Sequence, residues 1–390
     1  MELFFDLIFV AAVAEVGSPL TAGYSWPGLF RYSFLFILIW WAWIGHTMFS
    51  TRFDSDDLIQ RALLLLQSFI AAIMAVNAED ALDSRSSAGF GAAYAGMRIV
   101  LVLQYWRARR IPETRSLTTR HAVGFGIAAV IWAISALTDT PTRYWLWAAA
   151  LLIDFATPWI PGHHLATVPP DASHFPERFG LFTIILLGEF VAAVMRGIKS
   201  HEDWSIPAAA TAFAGVAFAF ALRWWYFDSA HGAAERHIRS RKQAMLFQLW
   251  QYAHLPLFLG IGIAGAGFQR AISEADSRLH GTEAWILCSA VAIVMTALAT
   301  IAATSDKARG KRTLLEYLLP AIVLPSAILG FGAYASLVPS VAVVLILLSA
   351  CIAQIIMARY TEAPGRLFLD QGNATAIRAT PAENSYISSK

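Results

Sequence analysis

The chain has 390 residues, 57% hydrophobic and 14% charged, with a formal net charge of +2. A soluble domain carries about 25% charged residues, so this composition argues against a soluble fold, offers nothing to a nucleic-acid partner, and points to an all-α polytopic membrane protein. Its two cysteines, Cys288 and Cys351, lie inside apolar runs and supply neither a disulfide framework nor a metal-ligand spacing.

A helix rising about 1.5 Å per residue needs roughly 20 apolar residues to cross the hydrocarbon layer. By that measure there are about twelve transmembrane runs: residues 1–19, 28–50, 60–78, 88–106, 121–138, 142–160, 177–196, 206–227, 243–268, 283–303, 314–335 and 338–358. The first run is interrupted by Glu2, Asp6 and Glu15 and lacks the basic start and small-residue cleavage site of a secretory signal, so it is expected to stay as a span. A Pro-rich loop, 161–176, separates an N-terminal six-helix half, 1–160, from a C-terminal half, 177–358. The tail, 359–390, is polar and expected to be disordered.

Basic residues concentrate in loops after even-numbered spans: Arg107, Arg109, Arg110, Arg115 and Arg120; then Arg236, Arg239, Arg241 and Lys242; then Lys307, Arg309, Lys311 and Arg312. The positive-inside rule puts those loops, the 161–176 linker and both termini in the cytoplasm. The halves also echo each other. Glu2 and Glu15 in the first span match Glu177 and Glu189 in the seventh, and an aromatic run ending in Asp recurs after the second and eighth. Two six-helix repeats in one orientation are a reading of that echo, and chance similarity of common residues is the alternative.

Ionisable groups inside spans are costly and are retained where they pair or work. On a helix, Glu2 and Asp6 share a face, whereas Glu15 lies about 180° of arc from Asp6, so the two depths are expected to face different neighbours. Arg98, Asp154, Glu189 and His254 lie deep in their spans. In one reading Asp6, Glu15, Asp154, Glu189 and His254 carry a proton or cation, with Arg98 as counter-charge and Glu189 coupled to His254 across the close approach that Gly188 permits. In the other, Arg98 pairs with an acid such as Asp154 and the network fixes helix register. The loop histidines His163, His164 and His174 match no metal motif, and no metal or cofactor is expected. No nucleophile elbow, zinc helix or phosphate loop is present, so the chain is not read as an enzyme.

Three segments, "ELFFDLIFVAAV" (Glu2 to Val13), "WWAWIGHTMFSTRFDSDD" (Trp40 to Asp57) and "HFPERFGLFTIILLGE" (His174 to Glu189), resemble the bacterial low-temperature-requirement A (LtrA) family, and "YAHLPL" (Tyr252 to Leu257) resembles a further family segment. The resemblance covers nearly the whole chain in the family's order. It implies a multi-pass protein of the bacterial inner membrane tied to growth in the cold, and brings no biochemical activity. The residues carried over are Glu2, Phe5, Asp6, Arg52, Asp54, His174, Glu177, Arg178, Gly180, Gly188, Glu189 and His254. The leading expectation is a transporter or channel-like protein, proton-linked, whose partners are the bilayer and a small solute or ion. The alternative is a non-transporting membrane protein that supports the envelope in the cold.

Overall fold

Short polar side chains start several helices. Ser25 accepts from the Gly28 N–H at 3.4 Å, Asp57 from Gln60 at 2.9 Å, Ser205 from Ala208 at 3.1 Å and Ser240 from Gln243 at 3.2 Å. Each satisfies an amide that a helix N-terminus leaves without an internal partner. Pro27 and Pro207 occupy first turns, where the missing N–H costs nothing.

The computed structural model describes residues 2–53, 57–83, 86–159, 169–200, 205–305 and 314–362. Among them are α1 (Glu2–Ala22), α2 (Trp26–Ser50), α3 (Leu58–Val76), α4 (Ser87–Ala108), α5 (Arg115–Ala136), α6 (Thr142–Ala156), α7 (His174–Ser200), α8 (Ile206–Trp224), α9 (Arg241–Ser273), α10 (Gly281–Ala303), α11 (Leu314–Gly332) and α12 (Ser340–Glu362), and no strand. The helices follow the expected runs in order. Eight of them, α2, α3, α5, α7, α8, α9, α10 and α12, are long and apolar enough to cross a membrane. Among the described residues, length and composition thus mark eight candidate crossings; α6 is short, and α4 carries Arg98 and several small or polar residues.

The outer faces are those of a protein in lipid. On α3, Leu65, Phe69, Ile73 and Val76 are exposed, three or four residues apart along one stripe. A water-facing helix would carry polar residues there. The inward stripe of the same helix holds Leu64, Gln67, Ser68, Ala71 and Met74.

Helix α9 is central and packs on α1, α2, α7, α8, α10 and α12. Its Gly260 and Gly267 meet Val294 and Leu287 of α10 at distances that no Cβ could share. Helices α7 and α9 run parallel: Phe179 meets His254, Phe190 meets Gly265, and Gly197 meets Ile272, at a constant offset along the sequence. Helix α1 lies beside both, and with α2 forms the contact of the N-terminal half with the C-terminal half. Helix α8 ends in a π turn, Trp225–Ser229, followed by His231 at φ 49° in the left-handed region.

The linker expectation changes at its end. Helix α7 starts at His174, inside the 161–176 segment, because the Asp171 carboxylate accepts the N–H groups of Ser173 at 3.0 Å and His174 at 2.7 Å, and Pro176 is tolerated in a first turn. The rest of the expected linker through 168, and the tail beyond 362, lie outside the described residues.

Candidate functional site

At the first turns of α1 and α7, Asp6 is fully buried. Its Oδ1 accepts from Arg178 Nη2 at 2.6 Å and from Trp43 Nε1 at 2.7 Å. Three of the segments singled out in the sequence thus meet in one buried cluster. The neighbouring Phe5 ring lies 4.2 Å from the His46 ring, whose nitrogens have no hydrogen-bond partner among the described residues. Trp43 packs on Phe179 and Phe182, and Phe179 on Trp250 and His254, so the ion pair sits in an aromatic plug. A charge pair so far from water persists only where its geometry is good, and losing one member costs about 3–5 kcal/mol.

A second pair ties α4 to α6. Arg98 Nε donates to Asp154 at 2.9 Å, and Nη2 donates to Tyr94 Oη at 2.8 Å and to the Trp41 carbonyl at 3.3 Å. Both charges are buried, and Gly45 leaves room for the guanidinium. This is the pairing that the depth of the two residues suggested. It joins helices within the N-terminal half.

His254 is not the partner of Glu189. Its Nδ1 lies 2.7 Å from the Trp250 carbonyl and must donate there, and its Nε2, 3.0 Å from Tyr226 Oη, then accepts the phenol proton. The parallel register explains the separation. His254 stands level with Phe179, whereas Glu189 stands level with the small residues around Gly265, about 15 Å further along α7. Gly188 admits no neighbouring helix either; the space beside its Cα is open.

What surrounds Glu189 is a cavity of about 440 Å³ between α1, α2, α7 and α9. Glu15, Tyr32, Glu189, Arg196 and Gln269 supply its polar groups; Ala14, Gly17, Ala193, Gly262 and Gly265 are among its small walls. Arg196 Nη2 donates to Glu189 at 2.7 Å and its Nε to Gln269 Oε1 at 3.3 Å. The Tyr32 hydroxyl is buried against Gly262, where any Cβ would collide with it, and has no partner among the described residues. Asp6 and Glu15 were expected to face different neighbours. The burial pattern agrees with that: Asp6 is fully buried with Phe5 and Phe9, while Glu15 lies on the exposed stripe of Phe4, Leu7 and Ala11, bordering the cavity that Glu189 also lines. Tyr32 and Gln269 carried no signal in the sequence. Arg196 did: it is seven residues from Glu189, two turns on one face.

The remaining motif residues frame these features. Arg52 borders a small crevice with Tyr105, His121 and Gln251. The Asp171 N–H donates to the Thr51 carbonyl at 3.1 Å and the Arg236 N–H to the Ala172 carbonyl at 2.9 Å, tying the ends of α2 and α8 to the start of α7. Gly180 packs on Ala233 and Phe227; His174 and Glu177 occupy the first turn of α7. The Glu2 side chain, Asp54, His163 and His164 lie outside the described residues. Outside the spans, Asp57 is held below the usual carboxylate range by the Arg107 guanidinium and then by the Gln60 N–H, and Asp171 by the N–H of His174 and the Ser173 hydroxyl. Among the described residues no group of three or more His, Cys, Asp or Glu is placed to hold a metal ion.

Comparison with known proteins agrees with the motifs. The family model for bacterial low temperature requirement A protein (LtrA) matches residues 1–352. The chain is 30% identical over 282 residues to an uncharacterized protein of Rhizobium meliloti (strain 1021), covering 68% of this chain and 67% of that one. No solved structure matches it.

Proposed function

Because the chain belongs to the bacterial low temperature requirement A family, a family of multi-pass membrane proteins, we propose that it moves a small solute or ion across the membrane, in a proton-linked manner, through the cavity between its halves. The observation that carries this reading is the polarity of the α1–α7–α9 interface. One level of it is plugged by Asp6, Arg178, Trp43 and their aromatic neighbours; the next opens into a chamber holding Glu15, Glu189 and Arg196. A chamber at the contact of two halves, closed at one end by a breakable pair, is the arrangement that alternating access requires. In this proposal all twelve helices span or enter the bacterial inner membrane as two six-helix repeats. Both termini are cytoplasmic, the Asp6–Arg178 plug closes the cytoplasmic side, no catalysis is performed and no nucleic acid is bound. The side-by-side, parallel α1 and α7, each bringing a glutamate to one chamber, support the repeat.

Glu189 is then the proton-exchanging group. Its exposure to the chamber and its pairing with a half-exposed Arg196 leave both free to exchange partners. The second reading, a non-transporting protein that supports the envelope in the cold, draws on Arg98–Asp154 and His254, which are partnered within the packing and need no moving ion. Reconstitution into liposomes with a pH gradient, followed by a screen of proton and solute flux, separates the two. The parent is expected to dissipate the gradient and Glu189→Gln to do so at least about tenfold more slowly, the scale of removing a positioned proton-transfer group. Parent liposomes as tight as empty ones would leave the structural reading standing.

A further inference from the structure

The chamber also carries information about what fits it. Its volume, about 440 Å³, lies in the range of small-molecule pockets rather than that of a dehydrated ion cage. Its charges do not cancel. Glu189 is matched by Arg196, and Arg196 is further engaged by Gln269. Glu15 is exposed and has neither an ion pair nor a hydrogen bond among the described residues, so the lining carries one carboxylate with no protein counter-charge among them. An anion entering it would meet two carboxylates and a guanidinium already in use. A cation would meet a waiting counter-charge.

A second feature is independent of the acids. Tyr32 is 2% exposed, yet its hydroxyl, lying over Gly262 on the chamber wall, has no partner among the described residues. Buried polar atoms are ordinarily satisfied by protein, water or ligand. The hydroxyl oxygen offers an acceptor to an N–H donor. Glycine and alanine elsewhere on the wall leave room for a short carbon chain.

We propose that the chamber formed by Glu15, Tyr32, Glu189, Arg196 and Gln269 binds a small primary ammonium compound, with Glu15 as its counter-charge and Tyr32 Oη as a further acceptor; this rests on reading the chamber as a solute compartment. The ammonium group carries three donors, which suits a chamber lined by a carboxylate of α1 and a tyrosine of α2. The Glu189–Arg196 pair remains closed beside it, and the carbon chain lies along the small-residue wall.

The test uses the purified full-length chain in detergent and reads ligand-induced thermal stabilisation, which depends on binding and not on flux. Propylammonium, 1-propanol and propionate share a carbon skeleton and differ in charge. Propylammonium is expected to raise the unfolding temperature saturably, and the neutral and anionic compounds are not. Glu15→Gln should weaken the apparent affinity by about tenfold or more, and Tyr32→Phe by several-fold. Glu113→Gln, at a loop acid outside the chamber, should leave it unchanged. Equal or greater stabilisation by propionate or 1-propanol, no response to propylammonium, or undiminished binding in a folded Glu15→Gln protein overturns the assignment. Should Glu15→Gln not fold, the ranking of the three compounds on the parent and the Tyr32→Phe affinity decide it. Amine binding without flux in liposomes would sink the transport proposal and leave the site standing; flux without amine binding would do the reverse.

Discussion

Replacing Asp6 by asparagine changes almost no volume and removes one charge from the α1–α7 contact. The asparagine oxygen can still accept from Trp43 Nε1, so the indole bond at 2.7 Å is retained. Arg178, with 1% of its side chain exposed, loses the carboxylate that it reaches at 2.6 Å and cannot shed its proton. Breaking one side of a pair buried to this degree costs about 3–5 kcal/mol. Arg178→Met is expected to cost a similar amount, because it takes the guanidinium away from a fully buried carboxylate. The double variant removes both charges and puts an apolar chain among Phe179, Phe182 and Trp43. It is therefore expected to be more stable than either single variant, with a coupling of about 1–3 kcal/mol, the upper part of the range for residues in contact. Equilibrium unfolding in mixed micelles, titrated with a denaturing detergent and followed by circular dichroism, would order the four proteins as parent, double, then the singles. Singles as stable as the parent, or a double whose loss equals the sum of the singles, would show that the two residues do not meet as described.

Gly262→Ala places a methyl group against the Tyr32 hydroxyl and should destabilise by about 1–3 kcal/mol as an overpacked core change does, with partial rescue when Tyr32→Phe is added; absence of rescue in the same unfolding assay would place the strain elsewhere. Arg98→Ala should cost more than the combination Arg98→Met with Asp154→Leu, since the first leaves a buried acid and the second leaves none; the reverse order would refute the pairing. Asp57 is held below the usual carboxylate range in the folded chain, so what it contributes is present at neutral pH and lost as the pH falls below about 4. The parent's advantage over Asp57→Asn should accordingly be full at neutral pH and decline as the pH falls below about 4, and an advantage that does not decline in acid would exclude that origin. Reporter fusions after the last helix and within residues 107–120 should both read cytoplasmic; an outside signal from either would reverse the proposed orientation.

Helix positions were legible from sequence because lipid imposes one requirement everywhere. A crossing segment must be apolar, about 20 residues long and internally hydrogen-bonded. Ser25, Asp57, Ser205 and Ser240 mark their helix starts as directly, since capping is a local bond over three residues. Arg98 with Asp154 was legible for a different reason. A guanidinium cannot discharge itself, so it needs an acid at its own depth, and few acids lie at that depth. Which helices stand side by side is not a local property. The pairing of Asp6 with Arg178, 172 positions away, depends on α1 entering the C-terminal half beside α7. The distance between Glu189 and His254 depends on the register of α7 against α9, which is set by the fit of Gly265 and Gly197 to Phe190 and Ile272. Tyr32 and Gln269 look like ordinary helix residues until packing leaves one hydroxyl without a partner among the described residues and turns one amide into a chamber. Sequence alone thus determined the helices, their apolar faces and which charges had to be answered. Tertiary packing decided which charge answered which and where space was left, because side-chain contacts between helices depend on register and shape that no single segment encodes.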